Sequence, residues 1–230
     1  MKLERLTWVE VKQYLAYKKS IIIPAGTCEQ HGKHLPLNTD TILTECIADF
    51  LSGETGIITA PTINYGVNLP CDRYYSGTNS LTELTLRKLL SSIMEWWKLQ
   101  GFNKFYILSA HGDIFHLKAL SEIDKMNVRV LELYDLAIDD ILEKQKKAKH
   151  AGEVETSLML FLYPEIVRKN MIKDYETSFS VFKDYLEHKK TEPIEYSPGC
   201  QGYPSKATKE KGRIVFSRMK KKALKWIKDN

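Results

Sequence analysis

Three consecutive isoleucines, Ile21, Ile22 and Ile23, followed by Pro24, constrain the fold more than any other stretch. A continuous β-branched run without polar alternation belongs to a strand buried on both faces, as in a covered parallel sheet. The same reasoning predicts strands over Ser20–Pro24, Gly56–Ala60, Lys104–Ser109 and Val128–Leu133. Helical apolar spacing predicts helices over Leu6–Tyr17 (capped by Thr7), Asp40–Ser52, Leu81–Gly101 and Asp113–Lys125. Three more are expected over Leu136–Lys149, Gly152–Tyr163 and Lys206–Lys228. Thr62–Asn79 reads as a long loop with functional potential, and Tyr175–Gly202 as a weakly patterned excursion. Strands alternating with helices indicate an α/β fold with a mostly parallel central sheet.

The 230 residues suffice for one substantial domain, expected to span 1–230. No window approaches the ~20 apolar residues of a membrane span, and Met1–Arg5 leads into no apolar signal region. A cytoplasmic location without membrane contact is the expectation. Cys28, Cys46, Cys71 and Cys200 form no CxxC pair and read as reduced, with Cys28 the one near a reactive segment. The net charge of +5 is concentrated in Lys144–Lys149 and Lys206–Lys228, which read as solvated faces. No nucleic-acid module accompanies it, so nucleic acid is not an expected partner; an anionic small molecule fits better.

In open parallel sheets, ligands bind beyond the C-terminal strand ends. Two such ends carry ligand-type side chains: Glu29, His31 and Asp40 after the first strand, His111 and Asp113 after the third. Residues two apart on an extended segment point the same way, and a carboxylate at a helix start faces the positive end of the dipole. Imidazole with carboxylate suits Zn, Mn or Fe, and a carboxylate can bridge two ions. A lone histidine after a strand is as readily a hydrogen-bonded loop residue, so spacing alone leaves the metal site open.

These segments resemble the creatininase family. Pro24–Asp40, PAGTCEQHGKHLPLNTD, is similar to its PxGSxEQHGPHLPLxTD signature. Tyr65-Gly66-Val67 with Ser76-Gly77-Thr78 resembles its YG…PGT loop, and Ser109–Asp113 stands where it has NGHGGN or NGHYEN. His150–Ser157 matches HAGxxETS, and Gly202–Gly212 resembles GxPxxATxEKG. The resemblance implies a three-layer α/β/α fold and two divalent metal ions. Glu29 and His111 would serve one ion, His31 the other, and Asp40 both. Asp113 aligns with a ligand glutamate but is one methylene shorter, which leaves Glu155 as the alternative acid. The implied reaction is attack of a metal-held water on an amide carbonyl. His150 would protonate the leaving nitrogen, and Glu155 would orient His150 or the water. Relatives assemble as rings of dimers, so a homo-oligomer, up to a hexamer, is implied. Trp96, Trp97 and Tyr185 read equally as interface or core.

The chain departs from the family where substrate is held. The lysine-rich Lys144–Lys149 lacks the tryptophan and aspartate that cover creatinine, and Gly112 replaces a tyrosine, which argues against creatinine as substrate. Arg73, in Cys71–Tyr75, is either an anion clamp or a surface residue, and Ser76, Gly77 and Thr78 are candidate substrate contacts. His34 reads as a residue supporting a ligand, His116 as a plain helix residue and His188 as a surface residue. Three readings stand: an amidohydrolase of a small molecule; more narrowly, a deformylase of a pyrimidine nucleotide or a trimming peptidase of a modified peptide; and a non-catalytic homologue that binds metal or ligand.

Overall fold

The computed structural model describes residues 1–230. Its sheet has four parallel strands, β1 (Ser20–Pro24), β2 (Ile58–Thr59), β3 (Lys104–Ser109) and β4 (Val128–Glu132), in the order β2-β1-β3-β4. The strands' period of two divides the core. Ile22, Tyr106 and Leu108 pack against α2 (Thr39–Thr55), α5 (Glu153–Leu162) and α7 (Lys209–Asp229). Ile21, Ile23, Phe105 and Ile107 pack against the other layer, α1 (Trp8–Leu15), α3 (Glu83–Gln100) and α4 (Ile114–Ser121). The expected α/β/α sandwich is therefore observed, with near-continuous apolar strands because both faces are covered.

β1 leads into α2 on one face and β3 into α4 on the other, so the chain reverses hand between these adjacent strands. Such a switch point opens a crevice at the C-terminal edge. Gly26 carries the chain from β1 past α2 at a distance that excludes a side chain: a Cβ there would lie 2.6 Å from the Thr41 Cα. Thr7 caps α1 in a reciprocal capping box with Glu10, as its position predicts.

Two expectations need correction. Leu136–Lys149 is not helical but a run of turns and bends. Its side chains are claimed by tertiary partners: Ile138 is fully buried, Asp140 and Asp135 receive Arg218 and Lys222 of α7, and Gln145 accepts from Tyr203 N. Tyr175–Gly202 contains a helix, α6 (Phe179–Leu186), capped by Ser178. Tyr185 is buried and Trp97 packs with Phe102, whereas Trp96 is exposed.

Candidate metal centre

The loop after β1 folds back through Glu29 N to Leu37 O (3.0 Å) and Gly32 N to Gly199 O (3.0 Å). This brings buried Glu29 and His31 over the first turn of α2, where Asp40 is 1% exposed. From β3, His111 arrives on the same spot, and from the first turns of α5 comes Glu155. Two triads share Asp40, Glu29–Asp40–His111 and His31–Asp40–Glu155, and a third group, Glu29–His31–His150, overlaps them.

Ring orientation defines what these triads can hold. His111 Nε2–H donates to Val67 O at 2.8 Å, so Nδ1 faces Glu29 Oε2 and Asp40 Oδ2, both at 3.1 Å. His31 Nδ1–H donates to Glu29 O at 3.0 Å, so Nε2 faces Asp40 Oδ1 at 3.2 Å and Glu155 Oε2 at 3.7 Å. Each neutral ring thus aims a lone pair at two carboxylate oxygens, an arrangement that demands a cation between them. Glu29 Oε2 and Asp40 Oδ2 are buried without a hydrogen-bond partner, as ligand atoms would be. Without metal, protons must fill the role. Burial pushes Glu29 up to about 8 and Glu155 to about 7. Burial opposes the charged form of His31, yet Asp40, Glu155 and Glu29 hold it up at about 10. The donor set, imidazole and carboxylate in a buried cluster, fits two divalent ions sharing Asp40.

The outer contacts are equally specific. Gln30 Oε1 accepts from Gly32 N at 2.9 Å, which turns Nε2 toward Asp72 Oδ1 (3.1 Å) and His150 Nε2 (3.0 Å). His150 Nε2 therefore accepts, and its proton sits on Nδ1, 3.7 Å from Glu29 Oε1. His150 belongs to a tight turn: Ala151 has φ 48°, its N–H donates to Glu155 Oε2, and His150 O accepts from Gln201 N at 2.8 Å. A non-glycine residue in the left-handed region is strained, and here the strain sets both His150 and Glu155. His116 accepts from Val67 N at Nδ1 (3.2 Å), donates from Nε2 to Ser109 Oγ (3.2 Å) and meets His111 edge-on at 4.9 Å. It is in a helix as expected, but it also braces a cluster histidine. His34 is buried against Thr156 Oγ1 at 2.9 Å, consistent with support of the same loop.

Several expected site residues lie elsewhere. Asp113 is outside both triads: Oδ1 caps α4 by accepting from Phe115 N and His116 N (2.8 Å each), and Oδ2 accepts from His188 Nε2 at 3.1 Å. The shorter carboxylate is consumed by the helix start, and Glu155 stands in the cluster instead. His188 is accordingly not a free surface residue. Arg73 is exposed, lies against Tyr74 and borders a separate cavity near Val67–Pro70. Thr78 Oγ1 accepts from Gln30 N, Gly77 O accepts from Cys28 Sγ, and Ser76 is exposed, so this loop buttresses the ligand loop rather than the cavity over the triads. That cavity, about 920 Å³, is bounded by Glu29, His111, His150 and Glu155 below and by α6 and Tyr203 above. Sequence reasoning missed Gln30, Asp72 and Tyr134. The first lies inside the motif, but Asp72 and Tyr134 are loop residues with no spacing signal. The Tyr134 hydroxyl is buried and unpartnered on the cavity wall.

Comparison with known proteins identifies the family. The family model described as creatinine amidohydrolase matches residues 4–227. Creatinine amidohydrolase of Pseudomonas putida is 26% identical, the match covering 92% of this chain and 90% of that protein. Mycofactocin precursor peptide peptidase of Mycobacterium ulcerans is 28% identical over 87% of this chain and 81% of its own. A solved structure described as "Creatininase Mn" superposes with a TM-score of 0.82 at 22% identity, covering 99% of this chain and 97% of the other, which speaks for the fold. The chain belongs to the creatininase family.

Proposed function

We propose that this protein is a metal-dependent hydrolase of an amide C–N bond in a small molecule other than creatinine. The observation that carries the reading is the shared Asp40, whose two oxygens face the free nitrogens of two different histidines. Glu29, Asp40 and His111 would hold one ion, and His31, Asp40 and Glu155 the other. Zn, Mn or Fe bound there would supply Lewis acidity and a water acidified to near neutrality. Hydrolysis gives the acyl carbon a hydroxyl and the nitrogen a proton as the C–N bond breaks. His150 is placed to manage that proton: its side chain is 24% exposed to the cavity, and Gln30 fixes the protonated nitrogen as Nδ1. Burial and the charge of His31 push His150 down to about 3, so the ring is neutral near pH 7 and carries its one proton on Nδ1.

Arg73 borders the other cavity, whereas Lys147 and Lys149 line the one over the triads and supply the cationic groups that an anionic amide substrate would use. Trimming of a short peptide is a second reading, favoured by a cavity near the top of the ~300–1,000 Å³ range of ligand sites. A purely binding homologue fits less well, since both triads and His150 are intact. A cytoplasmic homo-oligomer, up to a hexamer, remains the expected setting by family resemblance, and no helix is long and apolar enough to cross a membrane.

Elemental analysis of protein purified without a metal-binding tag tests the reading. About two ions per chain are expected. Asp40→Ala should lose both, Glu155→Gln one, and Asp113→Asn none. Absence of uptake when Zn, Mn and Fe are supplied would end the hydrolytic assignment. Loss of an ion in Asp113→Asn would restore that residue as a ligand.

A further inference from the structure

The cavity above the triads is chemically two-sided. Its floor is histidine and carboxylate, whereas its roof is α6, which presents Phe179, Phe182 and Leu186. These residues, at i, i+3 and i+7, share one helical face. Tyr185 lies on another side of the helix and is buried. Phe179 remains 74% exposed although it borders a cavity, so the helix leaves an apolar face unpacked. Apolar surface left open inside a concave site beside reactive groups is the common form of a ligand subsite.

The roof is held in place rather than loosely draped. At its base, Tyr175 N donates to Gly202 O (3.1 Å) and Gly202 N to Tyr175 O (2.6 Å). At its far end, His188 turns at φ 56°, binds Asp113 Oδ2 at 3.1 Å and stacks on Phe115 with ring centroids 3.9 Å apart. Asp113 in turn caps α4, the helix that follows His111. The roof and the metal-binding loop therefore share one anchoring residue.

We infer that α6 is the specificity element: Phe179, Phe182 and Leu186 receive a bulky apolar group, aromatic or branched, attached to the scissile amide, and His188 is the positioning residue that keeps the helix over the floor. This rests on the amide-hydrolase reading for the reaction but not for the binding preference. A small polar amide such as creatinine would leave the apolar face in water, so the inference also accounts for the missing creatinine-covering residues.

Two series test it on the metal-loaded full chain: primary amides R–CO–NH2 and N-alkyl formamides H–CO–NH–R, with R from methyl to benzyl. Ammonia or amine release is followed, and calorimetry measures binding of the same compounds to metal-free protein. Benzyl over methyl preference is expected at roughly 10- to 100-fold in kcat/KM in at least one series, with a parallel order of affinities. Phe182→Ala should cut the preference about tenfold, and His188→Ala should raise KM for the benzyl compound more than it changes kcat, whereas Val181→Ser, on the side of α6 away from the cavity, should leave the preference as it is. Methyl and benzyl compounds bound and cleaved alike, or a preference untouched by Phe182→Ala, would overturn the inference. If nothing is hydrolysed, the calorimetric order still decides it: the benzyl preference with its loss in Phe182→Ala upholds the subsite while the hydrolase reading falls, and no preference removes both.

Discussion

Gln30 shows how much chemistry one neutral side chain can fix. Its amide is oriented by Gly32 N, and through that orientation it makes His150 Nε2 an acceptor. Gln30→Ala releases the tautomer and the ring. We expect kcat to fall about 100-fold, with metal content unchanged, because the cavity group that Gln30 orients is His150 rather than a residue of the Asp40 triads. Steady-state kinetics with elemental analysis checks this; a variant that also loses metal would show that Gln30 supports the ligand loop instead. Asp113 illustrates the opposite lesson. Its position in the motif suggested a ligand, but Oδ1 accepts from two backbone N–H groups and Oδ2 from His188, outside the Asp40 cluster. Composition and spacing cannot tell a capping carboxylate from a coordinating one, since both stand at a strand-to-helix junction.

At the scale of elements, the contact of α5 with α7 is the least tolerant. A Cβ on Gly212 would lie 1.9 Å from Ser157 O and 2.9 Å from Phe161 Cβ, so α7 crosses α5 backbone to backbone. Gly212→Ala must separate the helices, and we expect a loss of about 2–3 kcal/mol, roughly 5–10 °C in Tm. Gly53, in α2, has no atom within 4 Å of its would-be Cβ. Gly53→Ala should therefore stabilise by about 0.5–1 kcal/mol through helix propensity. Thermal scans of the two variants separate packing from propensity. If Gly212→Ala is neutral, the crossing is looser than the geometry states. The helices legible in the sequence were those whose apolar stripe decides their state, such as α3 and α7. Leu136–Lys149 has helical composition, but its segment is pulled apart by α7's Arg218 and Lys222 and by the need to deliver His150 to the crevice.

At the scale of the whole molecule, two buried neutral histidines couple stability to pH. Burial pushes His34 down to about 4 and His116 to about 3. Both folded values lie below the ~6.5 of an unfolded histidine, so the unfolded chain binds more protons between those limits. Their contribution is full above about pH 6.5 and is lost as pH falls, by up to roughly 1.4 kcal/mol per pH unit for each histidine. Buried carboxylates such as Asp72, held up at about 6 by burial, act in the opposite sense, so the informative quantity is the difference between wild type and His34→Gln. Urea unfolding at pH 7.5, 6 and 5 should show the wild type losing more stability than the variant over that range. Equal losses would mean that His34 is protonated in the folded state.

The sequence by itself determined the sheet and the ligand-bearing loops. A run of isoleucines can be satisfied only between two helical layers, and the Glu29–Asp40 segment has few ways to leave such a strand. Only the tertiary structure decided which acid joins the cluster, where Arg73 faces and what roofs the cavity. Those outcomes depend on residues such as Glu155, His188 and Phe182 meeting partners 40 or more positions away, and no local periodicity records such a meeting.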